Sequence, residues 1–171
     1  MSGTDAGFDA PPRRGEGSAM YETGDYVICA GGGVWRVAAA EDGEIRLAEH
    51  ESGAEKTLPA DSGEIVRKIT SKEAILETIG RIAFVRTIQA PNDKMRRKLY
   101  DEAMSKYDEV EWIKVVKTVY LRREARRLLS FEAGYAEKAQ GYLHGEISVL
   151  LEMPLDEVED HIVAAVADDS W

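Results

Sequence analysis

The spacing of apolar residues changes once along this chain, near residue 70, and that change limits the folds open to it. Before this point, short apolar runs are separated by turns that contain glycine. After it, apolar residues recur every three or four positions. The first pattern is typical of strands and the second of helices. We therefore predict an α+β protein, with a β unit over residues 21–69 followed by a helical unit over residues 70–171.

Five short apolar runs predict the strands of the β unit: residues 25–30, 34–40, 44–48, 55–58 and 64–69. Asp42-Gly43 lies between two of them and predicts a hairpin, because glycine accepts the positive φ of a tight turn. The run Gly31-Gly32-Gly33 lacks the spacing of a phosphate-binding loop and precedes a strand, so it predicts a turn. Short strands at this spacing are typical of a small antiparallel β-barrel.

Five helices are predicted after residue 70, and residues suited to helix starts mark them: Thr70 with Glu73, Asn92 or Asp93, Asp108, Ser130 and Pro154. The first helix should end before Pro91. Apolar stripes predict the buried sides of the first three: Ile75, Leu76, Ile79, Ile82 and Ala83; Met95, Leu99 and Ala103; Trp112, Ile113, Val116, Val119 and Tyr120. In the last helix the stripe is Val158, Ile162 and Val166. These stripes predict a five-helix bundle.

Composition indicates the compartment. Residues 1–20 are rich in Gly, Pro, Ser and charge, so we expect a disordered extension, with Met20 as an alternative start left open. No apolar run reaches the roughly 18 residues that span a bilayer, and no secretory pattern opens the chain. The single cysteine, Cys29, fits a reducing compartment and a small core position. We expect a cytoplasmic monomer without a membrane partner.

Charge falls into three blocks along the chain. Residues 65–130 carry 16 basic and 9 acidic residues, whereas residues 1–64 carry 5 and 13, and residues 131–171 carry 1 and 10. Two basic clusters lie in the middle block: Lys94, Arg96, Arg97 and Lys98, then Arg122, Arg123, Arg126 and Arg127. A positive block within a chain of net charge -10 indicates either a surface that faces a polyanion or helix faces that are merely solvated.

Enzymatic chemistry has little support in the sequence. His50, His144 and His161 have no His or Cys neighbour at metal-ligand spacing, and Cys29 has no nearby basic partner. No nucleophile-elbow motif occurs. We therefore expect a binding protein with no catalytic residue, no metal and no cofactor.

The order of several short motifs resembles the CarD family of bacterial RNA polymerase-binding transcription regulators. Three motifs are similar to the family's Tudor-like barrel, which also occurs in transcription-repair coupling factors: Gly24-Asp25-Tyr26-Val27, Gly33-Val34-Trp35-Arg36-Val37 and Leu58-Pro59. Four more are similar to its helical DNA-contacting domain: Ser71-Lys72-Glu73, Ala90-Pro91, Arg96-Arg97 and Leu151-Glu152-Met153-Pro154. The similarity covers residues 21 to about 168.

This resemblance implies a regulator with two contact surfaces. The barrel would bind the β subunit of RNA polymerase by strand pairing, through Arg46, Lys56, Thr57, Leu58 and Pro59. The helical domain would contact promoter DNA at the upstream edge of the melted bubble and so modulate open-complex stability and transcription initiation. The residues implied there are Lys94, Met95, Arg96, Arg97, Lys98, Arg122, Arg123 and Arg126.

The chain departs from the family at two places. Lys94 stands where the family has a tryptophan that wedges into the minor groove, so phosphate contact is the expectation, and Met95 is either a substitute wedge or a core residue. Gly43 and Thr57 stand where a family member has strand arginines. Because the chain is acidic, we expect weak binding to free DNA and occupied contacts mainly when polymerase tethers it. A polymerase-binding or other adaptor whose helices do not contact DNA, and an RNA-binding module, remain open alternatives.

Overall fold

The computed structural model describes residues 20–167. Within them the strands are β1 (Tyr26–Cys29), β2 (Val34–Glu41), β3 (Glu44–Glu49), β4 (Glu55–Pro59) and β5 (Ile65–Lys68). All five lie within two residues of the predicted runs. The predicted extension falls, except for Met20, outside the described residues.

The strands form one antiparallel sheet in the order β4-β3-β2-β1-β5. Asp42 and Gly43 both have positive φ, at 54° and 78°, so the predicted hairpin joins β2 to β3. Gly32 and Gly33 also have positive φ and form the predicted turn between β1 and β2. Along residues 20–167 no ladder joins β4 to β5, so the structure confirms an antiparallel sheet and not its closure into a barrel.

The helices are α1 (Lys72–Gly80), α2 (Asp93–Met104), α3 (Glu109–Glu124), α4 (Glu132–Leu151) and α5 (Val158–Ala167). Two predicted caps are confirmed. Asn92 Oδ1 accepts from the Met95 N–H at 2.8 Å, and Asp108 Oδ2 accepts from the Val110 N–H at 3.0 Å. Pro154 precedes a short 3-10 turn, Leu155–Glu157, that leads into α5.

The first helix differs from its prediction in three ways. Ser71, not Thr70, caps it through a hydroxyl that accepts from the Ala74 N–H, and the Thr70 N–H donates to a buried carboxylate of α4 and not to Glu73. It ends at Gly80, and a 3-10 turn, Ile82–Phe84, follows in place of further α-helix. Leu76, which was expected on the buried side, is 46% exposed. The shorter helix buries only Ile75 and Ile79.

Other stripes are confirmed in part. Trp112 is fully buried, as its apolar stripe predicts, and Trp35 is largely buried. Met95 is 38% exposed and Tyr120 49% exposed, so both were wrongly placed inside; Tyr100, off the predicted stripe, is buried instead. Ser130 does not cap α4, whose first turn begins after Phe131 without a side-chain cap. The side chain of Val166 lies outside the described residues.

Apolar side chains form two clusters on opposite faces of the sheet. One holds Val27, Cys29, Trp35, Val37, Ile45 and Leu47 from the sheet itself. The other joins Ile28 and Val34 to the buried residues of the helices. The strands end at Lys68 and the helices begin at Lys72, as the change of period predicts, yet the two units share this second core.

Helix α4 lies directly on the sheet. The Tyr142 hydroxyl donates to the Cys29 carbonyl oxygen at 2.8 Å. One turn later, a Cβ on Gly145 would stand 2.6 Å from Val34 Cγ2, a distance that side chains cannot adopt. Glycine is therefore required at 145 for the close approach of helix and strand.

Replacing Gly145 tests this contact against a matched control on the same helix. In a free helix Gly→Ala stabilises by about 1 kcal/mol, and Gly141→Ala should do so because a Cβ at residue 141 would meet nothing within 4 Å. Gly145→Ala should instead destabilise by about 1–3 kcal/mol, since it overpacks the core. Urea unfolding of both variants measures the difference. Equal stability of the two variants would show that the sheet and α4 separate easily.

Candidate nucleic-acid interface

The exposed cations of α2 lie on one side of that helix. Lys94, Arg97 and Lys98 are exposed and spaced so that they are neighbours on a helix surface. The Arg97 guanidinium lies 4.0 Å from the ring centre of Phe131, just before α4. This cation–π contact places the N-terminal half of α2 beside the connection between α3 and α4. The structure thus brings the two basic clusters of the sequence together.

That connection presents the second cluster. Helix α3 ends with the Arg127 N–H donating to the Arg122 carbonyl oxygen at 2.8 Å, across Arg126 in the left-handed region at φ 60°. This is the usual helix-ending motif, with arginine at the position that glycine favours. Arg123, Arg126 and Arg127 are exposed around it. We call Lys94, Arg97, Lys98, Arg126 and Arg127 the basic surface; Arg123 instead lines a groove together with Glu137 and Glu159.

Arg122 does not belong to the basic surface. Its Nε and Nη2 donate to the two carboxylate oxygens of Glu132 at 2.7 and 3.0 Å, and its Nη2 also donates to the Arg127 carbonyl oxygen. Its side chain is 19% exposed. The guanidinium is therefore committed to internal bonds, and we leave Arg122 out of the candidate DNA contacts.

Glu132 holds the three helices together behind the basic surface. Besides Arg122 of α3, it accepts from the Tyr100 hydroxyl of α2 at 2.6 Å and from the Leu129 N–H at 2.9 Å. Burial would raise the pKa of Glu132, but these hydrogen bonds outweigh burial and hold the pKa below its ordinary value. A charged Glu132 thus fixes the relative positions of both basic clusters.

Arg96 and Met95 take different positions from their neighbours. Arg96 is half-buried and its guanidinium lies 3.5 Å from the carbonyl oxygens of Ile88 and Ala90, so it contacts the segment before α2. Met95, beside Lys94, is partly exposed at the start of α2.

The residues expected to bind polymerase lie on β3 and on β4, which forms one border of the sheet. Ala60 donates to Gly43 and Glu49 donates to Ala54 at the two ends of the β3–β4 ladder. Because bonded pairs alternate along an antiparallel ladder, the backbone N–H and C=O groups of Glu55 and Thr57 point away from β3. Within residues 20–167 no strand pairs with this outer edge.

The side chains along β3 and β4 point alternately towards solvent and towards the core of the sheet. Arg46 and Thr57 face each other across the ladder, and both are exposed. Lys56 pairs with Glu64 and its ammonium lies 4.1 Å from the centre of the Trp35 ring, so it is held against the sheet. Leu58 packs against the sheet's own core cluster. Pro59, in an outward-facing backbone position, removes no donor from the ladder.

Sequence reasoning missed a buried acidic site between the sheet and the helices. Glu146 of α4 is fully buried and accepts from the Thr70 N–H at 2.8 Å and from Arg67 of β5 at 3.2 Å. Arg67 also bonds Glu109 of α3 at 2.9 Å. Glu146 lies four residues after Tyr142, on the inward side of α4. The sequence signal that could have revealed this site is the single carboxylate of Glu146 among the apolar positions of its helix.

The two carboxyls of this site share one cation. Burial, together with a hydrogen bond to Glu109 and its charge, raises the pKa of Glu146 to about 8. Burial alone would also raise the pKa of Glu109, but hydrogen bonds and the charge of Arg67 lower it below the ordinary value. The raised pKa of Glu146 and the lowered pKa of Glu109 favour one shared proton on the pair at neutral pH.

His50 and Ser148 lie at the distance of a catalytic pair but are arranged differently. The Ser148 hydroxyl donates to the Met153 carbonyl oxygen at 2.6 Å, so at 2.9 Å it accepts from His50 Nε2–H. The imidazole is a donor to this hydroxyl and not a base for it. The pair links the end of β3 to α4. The Cys29 thiol is likewise unsuited to nucleophilic chemistry, because burial raises its pKa to about 11.

Two further features are absent from residues 20–167. No group of three or more His, Cys, Asp or Glu side chains there is placed to hold a metal ion. None of the helices in that part of the chain is both long and apolar enough to cross a bilayer.

In comparisons with known proteins, neither a family model nor a curated protein matches the sequence.

The Glu146 site predicts a pH-dependent stability. A folded-state pKa above the unfolded value means that the folded state holds the extra proton, so this contribution is complete below about pH 4.5 and is lost as pH rises towards 8. Wild-type protein should lose roughly 3 kcal/mol from this site between pH 5 and pH 8, since each pH unit between the two pKa values changes the free energy of unfolding by about 1.4 kcal/mol. Glu146→Gln, whose amide imitates the protonated carboxyl, should lose much less. Urea unfolding of both proteins at the two pH values measures this, and parallel pH profiles would contradict it.

Proposed function

We propose that this chain is a bacterial transcription regulator of the CarD type, which binds the RNA polymerase β subunit through β4 and contacts promoter DNA through the basic surface. In doing so it modulates open-complex stability. The observation that carries the proposal is the outward-facing backbone of Glu55 and Thr57 on a border strand, on the segment that the family resemblance assigns to polymerase. Such an edge suits pairing with a strand of another protein.

The basic surface supports the second half of the proposal. Its five cations come from two sequence clusters that Glu132 and Phe131 hold side by side. Lysine and arginine on one surface bind phosphates through charge, and their affinity falls with salt. On a chain of net charge -10 this surface is too small for tight binding to free duplex.

Attachment to polymerase would compensate for that weakness. Because the sheet and helices share a core, an anchored β4 holds the basic surface at a fixed position. An intramolecular contact then forms at an effective concentration in the millimolar range. The acidic remainder of the chain disfavours binding elsewhere on DNA.

The strand-pairing step is tested at Thr57, whose N–H points away from β3. Thr57→Pro removes that donor without removing a bond of the chain's own ladder, and should weaken binding to purified bacterial RNA polymerase at least tenfold. Thr57→Ala keeps the N–H and should bind within about threefold of wild type. A pull-down or interferometry titration with polymerase measures both. Equal binding by the two variants would remove β4 from the contact.

The DNA contact is tested by reversing charge on the basic surface. Lys94→Glu/Lys98→Glu should shorten the lifetime of a polymerase–promoter open complex formed with this protein while leaving polymerase affinity unchanged, because repulsion replaces phosphate attraction. Arg36→Glu/Lys72→Glu makes the same change in net charge at exposed sites away from this surface and should preserve the lifetime. If the Lys94/Lys98 variant behaves like wild type, the chain is an adaptor whose helices do not contact DNA.

A further inference from the structure

The turn between α1 and α2 is held rigidly by α3. The Lys117 ammonium donates to the carbonyl oxygens of Ile82, Ala83 and Val85 at 3.1, 3.1 and 2.9 Å. One residue along α3, the Thr118 hydroxyl accepts from the Ile88 N–H at 2.8 Å. Ile82 and Ile88 are buried on either side. The backbone of residues 82–88 is therefore fixed at both ends by one helix.

Phe84 projects from this fixed turn with 78% of its surface exposed, the largest exposed fraction among the large apolar side chains of the described residues. A single exposed apolar residue needs no partner by itself. Here, however, a buried lysine that makes three hydrogen bonds holds the phenylalanine outward. A side chain displayed on an ordered turn loses little conformational entropy when it binds.

Charge around Phe84 indicates the kind of partner. Arg81 and Arg86 flank it and both are exposed. Arg81 pairs with Glu77 at 2.8 Å, but both side chains are about two-thirds exposed, and such a pair contributes little. Residues 81–98 contain six basic residues and one acidic residue, Asp93. An exposed aromatic ring in a positive stretch matches the composition of sites that stack on nucleic-acid bases.

We propose that Phe84 stacks on unpaired DNA bases while Arg81 and Arg86 contact the adjacent phosphates. The choice of DNA as the ligand rests on the proposed function, whereas the stacking role rests on the exposure of Phe84 on a rigid turn. This residue lies ten positions before Lys94, so the contact is separate from the position at which the family resemblance places a wedge. An acidic protein surface would also attract the two cations, and it becomes the indicated partner if wild type shows no preference for unpaired DNA.

The test uses the full chain at low salt, without polymerase, and two labelled DNA duplexes that differ only in a short unpaired bubble. Fluorescence anisotropy should show wild type binding the bubble about tenfold more tightly than the full duplex, the size of one stacked base. Phe84→Ala should abolish this preference and Phe84→Trp should keep it. Leu76→Ala, which truncates another exposed apolar residue on α1, should also keep it.

Arg81→Gln/Arg86→Gln should weaken binding to both DNAs about equally and reduce the salt dependence, because phosphates are common to both. The proposal is overturned if wild type shows no preference for the bubble, or if Phe84→Ala retains one. It is also overturned if Phe84→Ala loses polymerase binding and keeps the preference for the bubble. Absence of polymerase binding by wild type would overturn the proposed function and leave the stacking result standing.

Discussion

The packing of α4 against β1 and β2 is the contact on which the rest of the molecule depends. Gly145 allows the helix to approach Val34 without an intervening side chain, and the Tyr142 hydroxyl satisfies the Cys29 carbonyl oxygen at the same seam. The Tyr142 hydroxyl and the Cys29 carbonyl oxygen would both be costly to bury without this hydrogen bond. Because α4 also contacts α3, α2 and α5, fixing it on the sheet fixes the helical unit as a whole. Sheet and helices are therefore parts of one packed body, although the sequence pattern separates them.

Buried charge contributes at two places, Glu132 within the helical unit and Glu146 between the helices and the sheet. Glu132 is satisfied by Arg122, Tyr100 and a backbone N–H, so it can remain ionised inside the helical unit. Glu146 has a weaker set of partners, and its Oε1 accepts from no donor among the described residues. Two carboxyls and one arginine cannot all be charged there without net negative charge in a buried space. The first site holds the basic surface together, and the second makes the joint between sheet and helices sensitive to protonation.

Local signals in the sequence predicted the elements more reliably than their contacts. The five strands and the Asp42-Gly43 hairpin follow from period-two patterns and glycine φ, which depend on neighbouring residues only. The cap of α1 is Ser71 and not Thr70, and the Thr70 N–H, expected to bond Glu73, donates to a carboxylate 76 residues away. Arg122 has the same kind of sequence context as its exposed neighbours, yet Glu132 binds it in the interior. The position of β4 at the edge of the sheet depends on strand order. The rigidity of the turn at Phe84 depends on Lys117. No local sequence pattern reveals either.

The structure also changes how the charge of the middle block should be counted. Arg122 is neutralised by Glu132 and Arg67 by Glu109, and Lys117 is buried against carbonyl oxygens, so several of its 16 basic residues are structural. The cations that face solvent are fewer; besides those on α2, at the end of α3 and beside Phe84, they include Lys68, Lys72 and Lys106. Since salt-dependent affinity for DNA grows with the number of phosphates neutralised, a smaller set means weaker binding by the isolated chain. Binding to nucleic acid would then depend on an anchor elsewhere on the molecule more strongly than the net charge of residues 65–130 suggests. The outward-facing edge of β4 is the surface best suited to provide one.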